Sequence, residues 1–357
     1  MNGRARATGW VAGLTALLFG VVVGATTIGP VSLSAIAVAK TLLNELVIPT
    51  GVALGSGSGF APAIETTAVF DFAVPETTAL IVTQIRLPRI LLAAVVGLSL
   101  GAAGTVMQGL FRNPMADPSI IGVSSGAAVG AVATIAVPSL IPLGLRPAAF
   151  VGAVVTAFAV YAIARENGRT PVATLLLAGV AVQTLLGAVV SYLLLHSGES
   201  LERAVYWLMG DLAASTYDQV TFTLLWALVG VPVLVAYASD LNVLLLGEEE
   251  AHHLGVAVER TRAILLGVAS IVTAAAVAVA GVIGFVGLIV PHAMRLLVGP
   301  DHRLLLPTSA LAGASFLVAA DAVARSGPAE MPVGIVTAAL GAPFFLYLLR
   351  QREVTEL

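Results

Sequence analysis

The chain has no cysteine, a single lysine and very little charge of either sign. Without cysteine, a disulfide framework and a thiolate metal site are both excluded. Asp, Glu, Lys and Arg make up 10% of the 357 residues and aromatic residues 6%, whereas 58% are hydrophobic. A phosphate-binding loop of the type G-x-x-x-x-G-K needs a lysine. The only one, Lys40, falls in a segment that reads as external, so the chain cannot hydrolyse ATP by that route. The net charge of −3 says little, because in a membrane protein the placement of basic residues matters more than their sum.

What is present is hydrophobic length. A mean hydropathy of +1.00 marks an integral membrane protein. The apolar runs are continuous and not alternating, which predicts helices and not barrel strands. At roughly 20 residues per span, runs near 10–29, 88–109, 119–137, 147–164, 172–195, 219–238, 263–280, 281–298, 304–324 and 332–349 give about ten transmembrane helices. The fold class expected is therefore all-α, one polytopic domain over residues 1–357 with both termini on the same side. Arg4 and Arg6 ahead of the run Trp10–Ile28 also fit a signal peptide, although the run is long for one and no A-x-A site follows.

Arginine placement orients the bundle. With the N-terminus inside, eleven of the 17 Lys and Arg fall on the cytoplasmic side, the bias expected of short inner loops. The six outside are Lys40, Arg86, Arg89, Arg146, Arg203 and Arg325, and the pair in "RLPR" sits directly against a long apolar run, contrary to that bias. An N-in, C-in arrangement leaves an external segment near 30–80, with a Gly/Ser turn in "TGVALGSGSGF" and room for a short surface helix. It leaves a cytoplasmic segment near 239–262, "DLNVLLLGEEEAHHLGVAVERTR", which reads as short amphipathic helices.

Mid-membrane Asp, Glu and His, the groups that bind a coupling ion, are nearly absent. Gln108 and Gln183 are polar but not ionisable, His292 and Arg295 lie near an inner helix end, and Asp321 and Arg325 are four apart and can pair with each other. A polytopic chain with neither an ion-coupling site nor an ATPase is either a passive pore or one subunit of a pump driven by a partner. Glycine- and alanine-rich stretches such as "GLSLGAAG" and "GVSSGAAVGA" allow close helix packing. "RLPRILLAAVVGLSLGAAGTV" and "RTRAILLGVASIVTAAAVAVAGVI" echo each other and enter from opposite sides, as inverted repeats do. His252 and His253 point about 100° apart on a helix with no further ligand close in sequence, so no metal is expected.

Three long stretches, Arg86–Ala131, Gly284–Arg325 and Met331–Arg350, together resemble the FecCD-type permeases, the membrane subunits of type II ABC importers for ferric siderophores, haem and cobalamin. The resemblance implies a homodimer or a paired homologous permease, with two ATPase subunits below and a substrate-binding protein above. It implies no cofactor held by this chain itself, ATP-Mg on the partner ATPase, a bacterial cytoplasmic (inner) membrane and no nucleic acid. Arg86, Arg89 and Arg325 match the external arginines that receive acidic residues of the binding protein, a task that suits the planar guanidinium, although helix-end arginines also snorkel to headgroups.

"LGEEEAHHLGV" matches the helix that couples to the ATPase. Gly247, Ala251 and Gly255 would permit close approach there, Leu254 would insert, and Glu248, Glu249 and Glu250 would meet basic groups. The cytoplasmic gate maps to "FRNPMADP", with Asn113 and Met115 as candidates, and to "ENGRTPV", with Gly168, Arg169 and Thr170. The load expected first is an iron chelate, a ferric siderophore or haem. Cobalamin is the alternative, and an ATP-independent carrier is a third and weaker reading.

Overall fold

A computed structural model describes residues 3–54, 62–138, 142–327 and 329–355. The elements run α1 (Gly3–Thr27), α2 (Ala35–Asn44), β1 (Val47–Leu54), β2 (Pro62–Ala68), α3 (Glu76–Leu80), α4 (Leu87–Leu110) and α5 (Val123–Ala136). They continue through α6 (Leu145–Ala164), α7 (Val172–Leu195), α8 (Leu201–Leu208), α9 (Tyr217–Ala236), α10 (Ala238–Leu244) and α11 (Glu248–His253). The chain closes with α12 (Val258–Ala280), α13 (Val286–Val298), α14 (His302–Ala324) and α15 (Val333–Thr355).

Seven helical segments are long and apolar enough to cross a membrane, and α5, α13 and α15 supply shorter apolar helices, so the all-α polytopic expectation holds. One exception lies outside the bundle: β1 and β2 pair antiparallel within the external segment, where only a helix was expected. The expected helix is there too, as α2, while residues 55–61 of the Gly/Ser turn lie outside the described residues.

Two spans differ from their hydropathy limits for identifiable reasons. The run expected from residue 88 is the lower part of one continuous helix from Glu76, whose residues Ile81–Arg86 form a π-helical turn. Pro88 has no N–H to give the Gln84 carbonyl, so the ladder widens just ahead of it. The run expected over 281–298 is helical only from Val286. Gly281 and Phe285 both adopt φ of +69°, which no helix continues, and the five residues 281–285 are packed within the protein, where irregular backbone at membrane depth is tolerated.

The small-residue stretches act as spacers do in membrane bundles. Along α4, Gly97 meets Gly313 of α14 and Gly104 meets Gly287 of α13 so closely that a Cβ at either α4 position would collide with the facing carbonyl. Gly126 and Gly130 of α5 meet Gly152 and Ala148 of α6 in the same way. As a result α4, α12 and α14 form a largely buried centre, whereas α1 and α7 show most of their apolar surface outward.

Polar contacts sort the helix ends into two groups. Arg6 donates to the Val298 carbonyl (3.2 Å), Arg112 to that of Leu244 (2.7 Å), and Asn242 to Asp301 (2.7 Å). At the other end, Arg86 reaches Thr26, Tyr217 donates to the Thr83 carbonyl (2.7 Å), and Asp211 N–H donates to Ala280 (2.9 Å). The first group lies at the end that the arginine bias assigns to the cytoplasm.

Candidate functional site

At the outer end, Arg86, Arg89 and Arg325 come together, although 239 residues separate the first from the last. All three are buried, with 4%, 4% and 3% of their surface exposed. Arg86 donates to the carbonyls of Thr26 (2.7 Å) and Val31, and Arg325 to those of Ile28 (2.9 Å) and Ala25 (3.3 Å). These carbonyls lie at and just beyond the C-terminus of α1, where the helix dipole favours a cation. Asp321, fully buried on the last turn of α14, faces Arg89 Nε at 2.9 Å and Arg325 Nε at 2.9 Å. The pairing of Asp321 with Arg325 suggested by their spacing is therefore present, and Asp321 serves Arg89 as well.

Arg89 also meets Glu330 at 2.7 Å, and this carboxylate is partly exposed. Three guanidiniums thus face two carboxylates, and Arg89 Nη2 is buried with no acceptor. Arg86, Arg89, Arg325 and Glu330 line a cleft of about 180 Å³ on the outer side. The arginines are consequently held inside the protein and are not lying out among headgroups. A larger cavity, about 690 Å³, opens near the outer ends of α6, α8 and α12 and carries Arg146 and Arg203, two more of the external arginines.

At the inner end, α10 and α11 form the amphipathic segment that the sequence predicts. Glu249 and Glu250 are exposed, as is Leu254 at 63%, and Leu246, which the sequence reading passed over, matches it at 64%. Gly247 (φ +136°) and Gly255 (φ +85°) bound α11 with backbone that disfavours a side chain, so their role is conformational. Ala251 corrects its expected placement: it is fully buried in the protein's own core and presents nothing to a partner. Asp301, which caps α14 beside this segment, has its carboxyl held down to about 2 by the hydrogen bond from Arg303, opposed by partial burial.

The two loops expected to gate differ in build. In the first, Asn113 is exposed and its side-chain oxygen accepts from Met115 N–H at 2.9 Å, turning Met115 outward. In the second, Glu166 and Arg169 exchange backbone hydrogen bonds at 2.8 and 2.9 Å around Asn167 (φ +50°) and Gly168 (φ +82°). This is the two-residue reverse turn for which Asn-Gly is the strongest short signal, and the dipeptide could have been read from the sequence. Gly168 and Arg169 are exposed at its tip. Thr170 is fully buried, so its side chain is not on the rim where it was expected. Among the described residues no hydrogen bond joins Asn113 or Met115 to Gly168 or Arg169.

One buried arginine, which the sequence did not single out, joins two of these regions. Arg262 on α12 meets Glu248 of α11 (2.5 Å), Glu259 (2.8 Å) and the Thr170 carbonyl (3.0 Å), while Thr170 N–H donates to Glu259 (3.1 Å).

A helical membrane body with a basic outer cleft, an acidic and apolar inner segment and no nucleotide-binding loop is the form of a transporter's membrane subunit. Residues 14–351 match the model of the FecCD transport family. The chain belongs to the FecCD transport family. Among its relatives, the cobalamin import system permease protein BtuC of Halobacterium salinarum is 57% identical over 99% of both chains. The hemin transport system permease protein HmuU of Yersinia pestis is 43% identical over 87% of this chain and 95% of that one. The iron(III)-citrate import permease YfmD of Bacillus subtilis is 41% identical over 76% and 82%. A solved structure described as an inward-facing conformation of a metal-chelate type ABC transporter aligns with a TM-score of 0.78 at 33% identity, covering 96% of this chain and 98% of that one. The chain is thus a multi-pass permease subunit of an ABC importer.

Proposed function

We propose that this permease carries cobalamin into the cell across the cytoplasmic membrane, receiving it from an external binding protein and driven by ATP-Mg on a partner ATPase. The observation that carries the reading is the 57% identity, sustained over 99% of both chains, to a protein described as a cobalamin permease. The iron chelate that the sequence alone put first becomes the second reading, supported by lower identity to the hemin and iron-citrate permeases over a smaller share of this chain. Two copies of the chain, or one copy and a homologous permease, would enclose the path.

The site geometry fits a division of labour between the two ends. The outer cleft holds three guanidiniums, and Arg89, whose Nη2 lacks an acceptor, would donate to a carboxylate of the binding protein that enters the cleft. At the inner end, Leu246, Leu254, Glu249 and Glu250 offer an apolar knob ringed by negative charge to the ATPase. Asn113, Met115, Gly168 and Arg169 occupy the exposed tips of the two inner loops, where a cytoplasmic gate would close.

Uptake into vesicles holding the permease, its ATPase and its binding protein tests this. ATP-dependent accumulation of labelled cobalamin, competed by unlabelled cobalamin and not by ferric siderophore or haem, is expected. Accumulation of an iron chelate alone would establish the second reading, and uptake without ATP would overturn both.

A further inference from the structure

Each of the two inner loops is fastened to the α10–α11 segment by one arginine. Arg112, in the loop after α4, donates to the carbonyl that ends α10 (Leu244, 2.7 Å). Arg262 does more, because it touches three elements at once: Glu248 on α11, Glu259 on its own helix and the Thr170 carbonyl in the loop before α7. Glu259 in turn accepts from Thr170 N–H at 3.1 Å. Both backbone polar groups of Thr170 are therefore clamped by one ion pair, and the residue is fully buried.

The parts on either side of the clamp are stiff. The Asn167–Gly168 turn closes on itself with paired backbone bonds, and Pro171, with its fixed φ, leads directly into the first residue of α7. Displacement of α11 can thus reach Thr170 through two charge-assisted hydrogen bonds and pass to the start of α7 without being absorbed by a floppy link. A guanidinium suits this task, because it presents five donors in a fixed planar fork, whereas an ammonium is a compact charge whose three donors rotate.

We propose that Arg262, positioned by Glu259, is the mechanical tie between the ATPase-facing helix α11 and the gate loop that begins α7, so that ATP-driven movement of α11 opens or closes that loop. The proposal rests on the importer reading above, and it assigns to residues outside the docking, coupling and gating sets a positioning role in linking hydrolysis to transport.

The test uses the complete importer in vesicles, with cobalamin as the transported probe, and compares wild type with Arg262→Gln, Glu259→Gln and the exposed control Arg303→Gln. In both clamp variants the ATPase is expected to co-purify and hydrolyse ATP as in wild type, while cobalamin accumulated per ATP falls about tenfold. Arg303→Gln is expected to keep the wild-type ratio. An unchanged ratio in the clamp variants overturns the tie. Uptake and hydrolysis falling together also overturns it, since that is the signature of a merely structural arginine. Should Arg262→Gln fail to fold, Glu259→Gln, which keeps the side-chain shape and removes the charge, decides by the same ratio. Absence of ATP-driven cobalamin uptake by the wild-type complex would instead count against the cobalamin reading, and the same ratio is then taken with haem as the probe, so the two failures are distinguishable.

Discussion

The two ends of the bundle use arginine in opposite ways. At the outer end three buried guanidiniums converge on Asp321 and on the carbonyls closing α1, so one compact cluster welds α1, α4 and α14 together. At the inner end Arg112 and Arg262 stand apart, each bridging a surface loop to a short helix of six or seven residues. The first arrangement joins whole helices, and the second, on our proposal, would pass displacement between loop and helix. A pump that receives cargo on one face and force on the other needs this difference.

Removing the shared carboxylate tests the rigid end most severely. Asp321→Asn removes one of the two carboxylates paired with buried Arg89 and the carboxylate paired with buried Arg325, and loss of about 3–5 kcal/mol of stability is expected, read as a large fall in thermal midpoint in detergent. An unchanged midpoint would show that the outer cluster does not weld the bundle. Leu254→Asp probes the other end. Its side chain is exposed, so the midpoint should hold, while ATPase association weakens by about 2 kcal/mol, roughly thirtyfold, measured by titrating the subunits. Equal association would place the contact elsewhere on the segment.

A smaller effect belongs to Asp301, which caps α14 at the inner end. Asp301→Asn keeps a capping oxygen but loses the charge toward Arg303, and at most about 1 kcal/mol is expected, screened by salt. Because the folded-state carboxyl is depressed to about 2, its contribution is complete above the unfolded carboxylate range near 4 and disappears as pH falls through about 2. Midpoints recorded from pH 5 to pH 2 in wild type and Asp301→Asn should converge at the acid end. Smallest in stability is Glu330→Gln at the outer cleft, below about 1 kcal/mol for so exposed a partner. Its value lies in docking, because freeing Arg89 should tighten the binding protein severalfold in a titration. Weakened docking would mean that Glu330 orients Arg89 and does not occupy it.

Much of the fold could be read from the residues, because in a bilayer every backbone group must be satisfied within the segment and apolar length alone then marks a helix. The close packing behind "GLSLGAAG" was legible too, because small residues let backbones approach. What escaped were features set by contacts between distant residues. Ala251 looks like a surface residue in an acidic stretch, yet it turns into the core because α11 packs on α10 and α12. The clamp on Thr170 was invisible, since Glu248, Glu259, Arg262 and Thr170 acquire their meaning only when two loops meet. The Asn-Gly turn beside it was present in the sequence and went unused.

By itself the sequence determined a helical membrane protein, the family to which it belongs and the absence of a phosphate-binding loop, all of which follow from composition, hydropathy and motif order. Only the tertiary structure decided what the arginines touch. A guanidinium at a helix end can face a headgroup, a partner or its own protein with the same local sequence, and the choice is made by which carbonyls and carboxylates the folded chain brings within 3 Å or so of it. For Arg86, Arg89 and Arg325 these are the end of α1, Asp321 and Glu330, and for Arg262 they are α11 and the loop before α7.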